Sequence, residues 1–593
     1  MPPYSNGQPA KPIRTVLRAR LWYMIVMVIF GIFFVRLFYL QIIRHDYYKQ
    51  SATVGHLKEY EITAQRGVIK AHSGSTVVPI ALNQTLYTVY ADPTIVKEQG
   101  KVAETLAAVL KGSAADYEDK LRTKDTRYVI LQRKVSQAQK DEILKKKYPG
   151  VGAQEQQYRT YPNGSLAAQV LGFVNNESAG VYGVEQALNG TLAGKSGQLK
   201  AVTDVHGVPL AANTDNILKQ PQSGSDVVLT LDVAMQKQLE DTLKAGLERA
   251  KSDSGSALIL DPNTGAVKAM ANWPTYDPTN YANVDNANLF TNAAVSAPLE
   301  IGSTMKPLTV AAALDSGAVP LNYSYYDPSK YVIDDFTVKN IEEDGGPGQK
   351  SLADILNLSL NTGATQMIMR MGGSNDKINQ KGRETWYNYM TEHYRFGKPT
   401  GIEQGYEGEG GIVPKPNDGY ARDLTYANTS FGQAMTASPL QLGAAFSAMI
   451  NGGTYYRPHL VDYTVDANGK QTDKKPEILK DDVVSPDVSK NLIPILQYVV
   501  DKHSFARKFN QKVYSVGGKT GTAQIAKPNG GYFENDYNGT YVGFVGGDSP
   551  QYVIVVNVNK PKIPGYAGSQ AAQPLFGDLA HMLIDKFNVT PRR

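Results

Sequence analysis

The run LWYMIVMVIFGIFFVRLFYLQII, from Leu21 to Ile43, does more than any other stretch to limit what this chain can become. At about 1.5 Å per helical residue it can cross a hydrocarbon core of about 30 Å. Its single charge, Arg36, stands near the far end, where a long side chain reaches the interface. Lys11, Arg14, Arg18 and Arg20 precede it with no acid among them, and a basic flank before a first span predicts an inside N-terminus. No small-residue cleavage site follows, so the expectation is a retained single-pass anchor. Residues 1–20 then form a cytoplasmic tail, 21–43 a transmembrane helix, and all from Arg44 onward lies outside. A buried core helix is the competing reading of the same run.

At 593 residues the chain is too long for one core, and two or more domains are expected beyond the anchor. Its 61 basic and 56 acidic residues leave a net charge of only +5, which does not favour nucleic acid as a partner. The absence of cysteine excludes disulfides, cysteine zinc sites, iron–sulfur clusters and a thiol nucleophile. Residues 44–252 alternate β-rich runs (TLYTVYADP, RYVILQRKV) with helical ones (VAETLAAVLKG, SQAQKDEILKKKYPG), an α+β pattern with no metal spacing and no phosphate loop. No cofactor or metal is expected.

Near Gly224 the pattern changes. SDVVLTLD reads as a strand, and the helix after it sets Met235, Leu239, Leu243 and Leu247 on one face. SALILD, PNTG and AVKAMAN read as a hairpin, and TYVGFVGG with QYVIVVNV reads as a strand pair before a closing amphipathic helix. Strands near both ends of this part, around a helical middle, predict one antiparallel sheet covered by helices.

Three short motifs carry the chemistry. In EIGSTMKPLTVAAAL, Ser303 lies three residues before Lys306 at the start of an apolar helix. A serine hydroxyl needs a base within reach, and a lysine serves only if burial or a second cation keeps it neutral. The spacing alone also fits an ordinary polar helix start, and SNDK at Ser374–Lys377 has it in what reads as a solvated loop. In SLN, Ser359 and Asn361 stand at a junction between helices, able to pass a proton and hold a carbonyl, although SKN at Ser489–Asn491 also fits S-x-N. VGGKTGTAQ contains the chain's one K-T-G, with Lys519, Thr520, Gly521 and Thr522 on a glycine-rich strand, or else a turn with a surface lysine.

In the order S-x-x-K, S-x-N, K-T-G, these motifs resemble the penicillin-recognising serine acyltransferases. RLFYLQIIRHDYY, AQRGVI, RTYPNGSLAAQVLGFV and GVYGVEQALNGTLAGKSG are similar to pedestal signatures of class B penicillin-binding proteins, which are monofunctional peptidoglycan transpeptidases. DPNTGAVKAMANWPTYDPTNY, SFGQAMTASPLQL and YVGFVGGDSPQYVIVVNV resemble further parts of the transpeptidase domain. The resemblance implies an elongated, non-catalytic α+β pedestal over 44–252 and a transpeptidase domain over 253–593 built on a five-stranded antiparallel sheet.

By the same resemblance Ser303 attacks the penultimate D-Ala carbonyl of a stem peptide, Lys306 takes its proton, and Ser359 relays a proton to the leaving amine with Lys519 nearby. Asn361 binds the peptide amide, Thr520 and Thr522 hold the terminal carboxylate on the Lys519–Thr522 strand that includes Gly521, and the backbone N–H groups of Ser303 and Thr522 form the oxyanion hole. β-Lactams acylate Ser303. The partners implied are peptidoglycan stem peptides, a membrane glycosyltransferase of the SEDS type, and division or elongation proteins. YADP (Tyr90–Pro93) and the pedestal look more like the division type, which predicts a septal role.

Three departures stand out: Lys70–Gly74 where the family continues x-D-R-x-G, Ile301 where it often has proline, and Ala434 where G-Q-G is usual. The alternatives are a D,D-carboxypeptidase, a β-lactam-hydrolysing or β-lactam-sensing acyltransferase, or a non-catalytic membrane scaffold.

Overall fold

The hairpin and the C-terminal strand pair read from the sequence join the K-T-G strand in one sheet in the computed structural model, which describes residues 13–48, 57–202, 217–341, 345–408, 410–503, 505, 509–527 and 530–593. Its strands are β1 (Ser254–Leu260), β2 (Val267–Trp273), β3 (Ser515–Ala526), β4 (Tyr532–Gly546) and β5 (Pro550–Asn559). All neighbours are antiparallel, in the order β2-β1-β5-β4-β3. Leu258 faces Val555 across β1 and β5, and Lys519 faces Val542 across β3 and β4. The strand carrying K-T-G is therefore the sheet edge.

Alternation along these strands feeds two cores. Ala257, Ile259 and Val556 point to one face, where α1 (Val233–Ala250) buries Met235, Leu239, Leu243 and Leu247 and α5 (Gln573–Lys586) buries Leu575, Phe576, Leu579 and Leu583. Asp232 caps α1 by accepting from the Met235 N–H at 2.9 Å. Leu258, Met270, Val542 and Val555 point to the other face, against α4 (Pro439–Ile450), in a core that extends to α2 (Lys306–Asp315) and α3 (Asn361–Met371). Every residue of α4 is buried, as its all-round apolar sequence requires.

A second, seven-stranded sheet joins distant parts of the chain. Asp226–Asp232 lies between Ile69–Ser73, to which it is parallel, and Val461–Val465; Thr76–Ala91 follows Ile69–Ser73 and pairs with both Val129–Val135 and Val151–Thr160. The strand Ile69–Ser73 holds the first departure noted above. Lys70 pairs with Asp226 at 2.8 Å, His72 with Asp462 at 2.9 Å, and the Gly74 N–H donates to Asp232 at 3.1 Å, so this segment has a set of contacts of its own.

All of this belongs to one compact unit, Gln65–Gly194 with Ser223–Arg593. The other unit, Met1–Ala64 with Lys195–Gln222, contains a helix over Ile13–Phe38 that continues as a π-helical turn to Ile43, and a three-stranded sheet of Leu57–Ile62, Gly197–Val202 and Ile217–Lys219. Leu17–Ile43 is long and apolar enough to cross a membrane, with a mean hydropathy of 2.3. Lys11 and the first half of the tail lie outside the described residues.

Leu239 sits at the centre of the α1 contact. Leu239→Ala is expected to lower unfolding free energy by about 2–5 kcal/mol, read from denaturant unfolding of the full-length protein in detergent; a loss under about 1 kcal/mol contradicts this packing.

Candidate active site

Ser303 stands in a 3₁₀ turn, Gly302–Met305, that runs directly into α2, and the Lys306 N–H donates to the Ser303 carbonyl. Three residues per turn make positions i and i+3 eclipse, so Ser303 and Lys306 share one side more closely than in an α-helix. Gly302 has φ +57°, and a Cβ there would come 2.7 Å from the Thr522 carbonyl oxygen. Only glycine lets the turn take this shape and approach β3 so closely. Its N–H donates to the Gly432 carbonyl at 3.0 Å.

Two of the departures are explained here. Ile301 has φ −86°, near the range proline would impose, and buries its side chain to 1% exposure. Ala434 takes φ +57°, the left-handed conformation that glycine adopts freely, and its N–H donates to Glu300 Oε1 at 2.9 Å. The Tyr532 hydroxyl donates to the same oxygen at 2.9 Å, and burial raises the Glu300 carboxyl above its ordinary value. Glu300 thus ties the Gly302–Met305 turn to the 432–434 loop and to β4. Nothing in its sequence position announced that role.

Lys306 is fully buried, at 0% exposure. Its Nζ donates to the Ser359 carbonyl and to Asn361 Oδ1 (2.8 Å), and lies 3.1 Å from Ser359 Oγ. Burial, and then the nearby Lys519 cation, hold its pKa well below that of an ordinary lysine. All three of these partners are neutral oxygens, which accept from a neutral amine as well as from an ammonium. Ser303 is half-buried, and among the described residues its hydroxyl makes no hydrogen bond to Lys306 in this state.

Ser359 occupies φ +54°, rare for a residue with a side chain, between the helix Leu352–Asn357 and α3. Asn361 is clamped at both ends, its Oδ1 by Lys306 and its Nδ2 by the Lys339 carbonyl at 3.0 Å. Behind it, buried Asp327 accepts from Asn340 (3.0 Å) and Thr362 (2.9 Å), and Asn340 Oδ1 accepts from the Thr362 N–H at 3.0 Å. This polar cluster holds the start of α3 and was not evident from the sequence.

On β3, Lys519 is 2% exposed and burial lowers its pKa to about 7. Its Nζ donates to the Thr520 carbonyl (3.2 Å) and hydroxyl (3.1 Å). A Cβ on Gly521 would meet the Ile301 carbonyl oxygen at 2.4 Å, so this glycine lets the edge strand lie against the turn that bears Ser303. The Thr522 hydroxyl accepts from the Gly568 N–H at 2.9 Å. His503, half-buried after the helix Pro486–Asp501, has its pKa lowered by burial and by Lys519; the motifs gave no sign of it.

The two look-alike motifs lie elsewhere. Ser374 of SNDK is in a loop, where its hydroxyl accepts from the N–H groups of Asp376 and Lys377 at 3.3 Å. Ser489 of SKN sits within the helix Pro486–Asp501 and accepts from the Gly452 N–H at 2.9 Å.

Comparison with known proteins identifies the family and the fold. A family profile described as penicillin binding protein transpeptidase domain matches residues 255–581, and one described as penicillin-binding protein dimerisation domain matches residues 61–229. The chain is similar to stage V sporulation protein D of Bacillus subtilis (strain 168), 30% identical over 587 residues, covering 97% of this chain and 87% of that protein. It is 26% identical over 565 residues to peptidoglycan D,D-transpeptidase FtsI of Escherichia coli (strain K12), covering 94% of this chain and 89% of that one. Its fold is that of penicillin binding protein 2X from Streptococcus thermophilus, with a TM-score of 0.70 at 23% identity over 88% of this chain and 80% of the other. With the transpeptidase profile covering more than half its length and a dimerisation domain before it, the chain belongs to the penicillin-binding proteins, in their class B form.

Proposed function

We propose that this protein is a peptidoglycan D,D-transpeptidase working through a Ser303 acyl-enzyme. The observation that carries the reading is Lys306: a buried amine, with no carboxylate among its hydrogen-bond partners, held between Ser359 and Asn361 one tight turn from Ser303. A lysine in that setting is a base at neutral pH. Ser303 Oγ attacks the penultimate D-Ala carbonyl and its proton passes to Lys306. The tetrahedral oxyanion is met by the N–H groups of Ser303 and Thr522. The C–N bond breaks as Ser359 gives its proton to the departing D-Ala amine and takes the one on Lys306 in its place, which leaves an ester on Ser303 and Lys306 neutral again. An amine from a neighbouring stem then attacks the ester, forming the new amide and freeing the serine.

Substrate holding follows from β3. Its outer edge has unpaired backbone groups to which an extended peptide can add as a strand. The Thr522 and Thr520 hydroxyls each accept one hydrogen bond, from Gly568 and Lys519, which leaves both O–H groups free to donate to a carboxylate. Asn361 offers the stem amide a rigid partner. A β-lactam enters as the donor does and stays on Ser303. The apolar segment Leu17–Ile43 supports a single-pass anchor in the cytoplasmic membrane with the catalytic domain outside, where polymer made by a separate SEDS-type glycosyltransferase is cross-linked. A septal place for this work rests on the division-type look of Tyr90–Pro93 and the pedestal.

Full-length protein in detergent, treated with a penicillin, is expected to gain one adduct by intact mass. Ser303→Ala is expected to gain none, and Lys306→Ala to acylate about 10²–10⁴ times more slowly. An adduct surviving Ser303→Ala assigns the nucleophile elsewhere. With lipid-linked polymer and a polymerase, cross-linked stem dimers are expected; release of D-Ala without dimers points to hydrolysis.

The rate of acylation is expected to be bell-shaped in pH. It rises as Lys306 loses its proton, below an ordinary lysine's range, and falls as Lys519 loses the charge that holds the carboxylate, near about 7. In Lys519→Arg the cation persists, so the falling limb is expected to vanish; an unchanged limb removes Lys519 from carboxylate binding.

A further inference from the structure

The short stretch Ser430, Phe431, Gly432 lies against the start of α2, and no step of the reaction uses it. Phe431 is 6% exposed, and Lys306 Nζ lies over its ring, 5.9 Å from the centroid. The residues on either side of Phe431 are both tied to the segment that bears Lys306. The Ser430 carbonyl accepts from Thr309 Oγ1 at 2.8 Å, and the Gly432 carbonyl accepts from the Gly302 N–H at 3.0 Å. The Phe431 N–H itself donates to the Asn428 carbonyl at 3.2 Å. Its backbone is thus fixed against the chain both before and after Lys306, and the ring stays over the amine.

The face of an aromatic ring carries negative potential and attracts a cation, most strongly where water is excluded. The Lys306 amine is uncharged before it takes the Ser303 proton and an ammonium afterwards, so this attraction strengthens as the proton moves and acts on the step itself. The other surroundings of the amine do not supply it. Ser359 and Asn361 offer neutral oxygens, and Lys519 on β3, the one charged group that bears on Lys306 among the described residues, opposes a positive charge there. Burial opposes it as well. Together they keep the amine free to act as a base, but unopposed they would also make it a weak one. A ring face offsets part of that without the fixed negative charge of a carboxylate, which would hold the proton in place.

We propose that Phe431 is a positioning residue for the reaction, its ring face serving as the electrostatic partner of the Lys306 ammonium that forms when the Ser303 proton is transferred. No bond is made or broken at the ring. The role rests on the proposed chemistry of Ser303 and Lys306, and adds to it a group outside the three motifs.

The test replaces Phe431, in the full-length protein in detergent, with phenylalanines bearing one, two and three ring fluorines, which weaken the negative face in steps with little change in size. Acylation by a chromogenic cephalosporin is followed across pH. As the face weakens, the ammonium loses support and Lys306 gives up its proton at lower pH. The rising limb of the profile is therefore expected to move to lower pH in steps, by about half a unit over the series, about a threefold change in the proton equilibrium. The rate at the top of the profile is expected to fall in the same order, because a weaker base takes the serine proton less readily. The falling limb, set by Lys519, is expected to stay. Phe431→Leu, which keeps an apolar side chain but has no ring face, is expected to move the rising limb in the same direction, and decides the matter if the fluorinated chains do not fold. A rising limb that stays in place, or a rate lowered equally at every pH as looser packing alone would produce, overturns the role of Phe431 while leaving the acyl-enzyme intact. Wild-type protein that gains no adduct on Ser303 overturns the acyl-enzyme reading, and this role with it.

Discussion

The burial of the Lys306 amine among neutral oxygens is the constraint on which the rest of the site depends. Beside a carboxylate the amine would keep its proton at lower cost, and would be useless as a base. The surroundings instead supply oxygens that accept from a neutral amine as well as from an ammonium, and set a second buried lysine nearby. Local strain is accepted to achieve this. Ser359 and Ala434 both hold left-handed backbone conformations, each costing about 1–2 kcal/mol, and the helix that follows Ser303 starts as a 3₁₀ turn. A rigid shell of Asp327, Asn340, Thr362 and Glu300 keeps these strained parts from relaxing.

Much of this was legible in the sequence because it is periodic or local. The hairpin of β1 and β2, the pair β4 and β5, the face of α1 and the strand character of VGGKTGTAQ all follow from spacing and turn residues. The three motifs could be placed on a helix start, an interhelical junction and a strand. What side chains do across those elements could not be read. The clamp on Asn361, the tie made by Glu300 and the Gly568 N–H on the Thr522 hydroxyl join residues far apart in the chain, and no period records such contacts. The parallel pairing of Asp226–Asp232 with Ile69–Ser73 is hidden for the same reason.

The seven-stranded sheet gives the chain's two families of signature a physical connection. Asp226–Asp232 ends at the cap of α1, which packs on the transpeptidase sheet, while its neighbour Ile69–Ser73 leads to the strands around Arg159 and Glu185. The segments named as dimerisation and transpeptidase domains thus contribute strands to one sheet, with Val461–Val465 coming from beyond α2, α3 and α4 in the chain. Residues early in the chain therefore bear on the shape of the later part without touching its chemistry.

The order of the central sheet also fixes when such an enzyme can begin to work. Strand β1 pairs with β5, so Ser254 meets Asn559 only after about 300 intervening residues have been made, a closure worth about 5 kcal/mol of chain entropy before any contact repays it. A ribosome delivers Ser303 and Lys306 long before β3 and β5 exist. Until then β3 does not lie against the Gly302–Met305 turn, Lys519 is absent, and Lys306 lacks the surroundings that lower its pKa. The surroundings of Lys306 are thus completed by the last segments to be made, through the connectivity of the sheet itself.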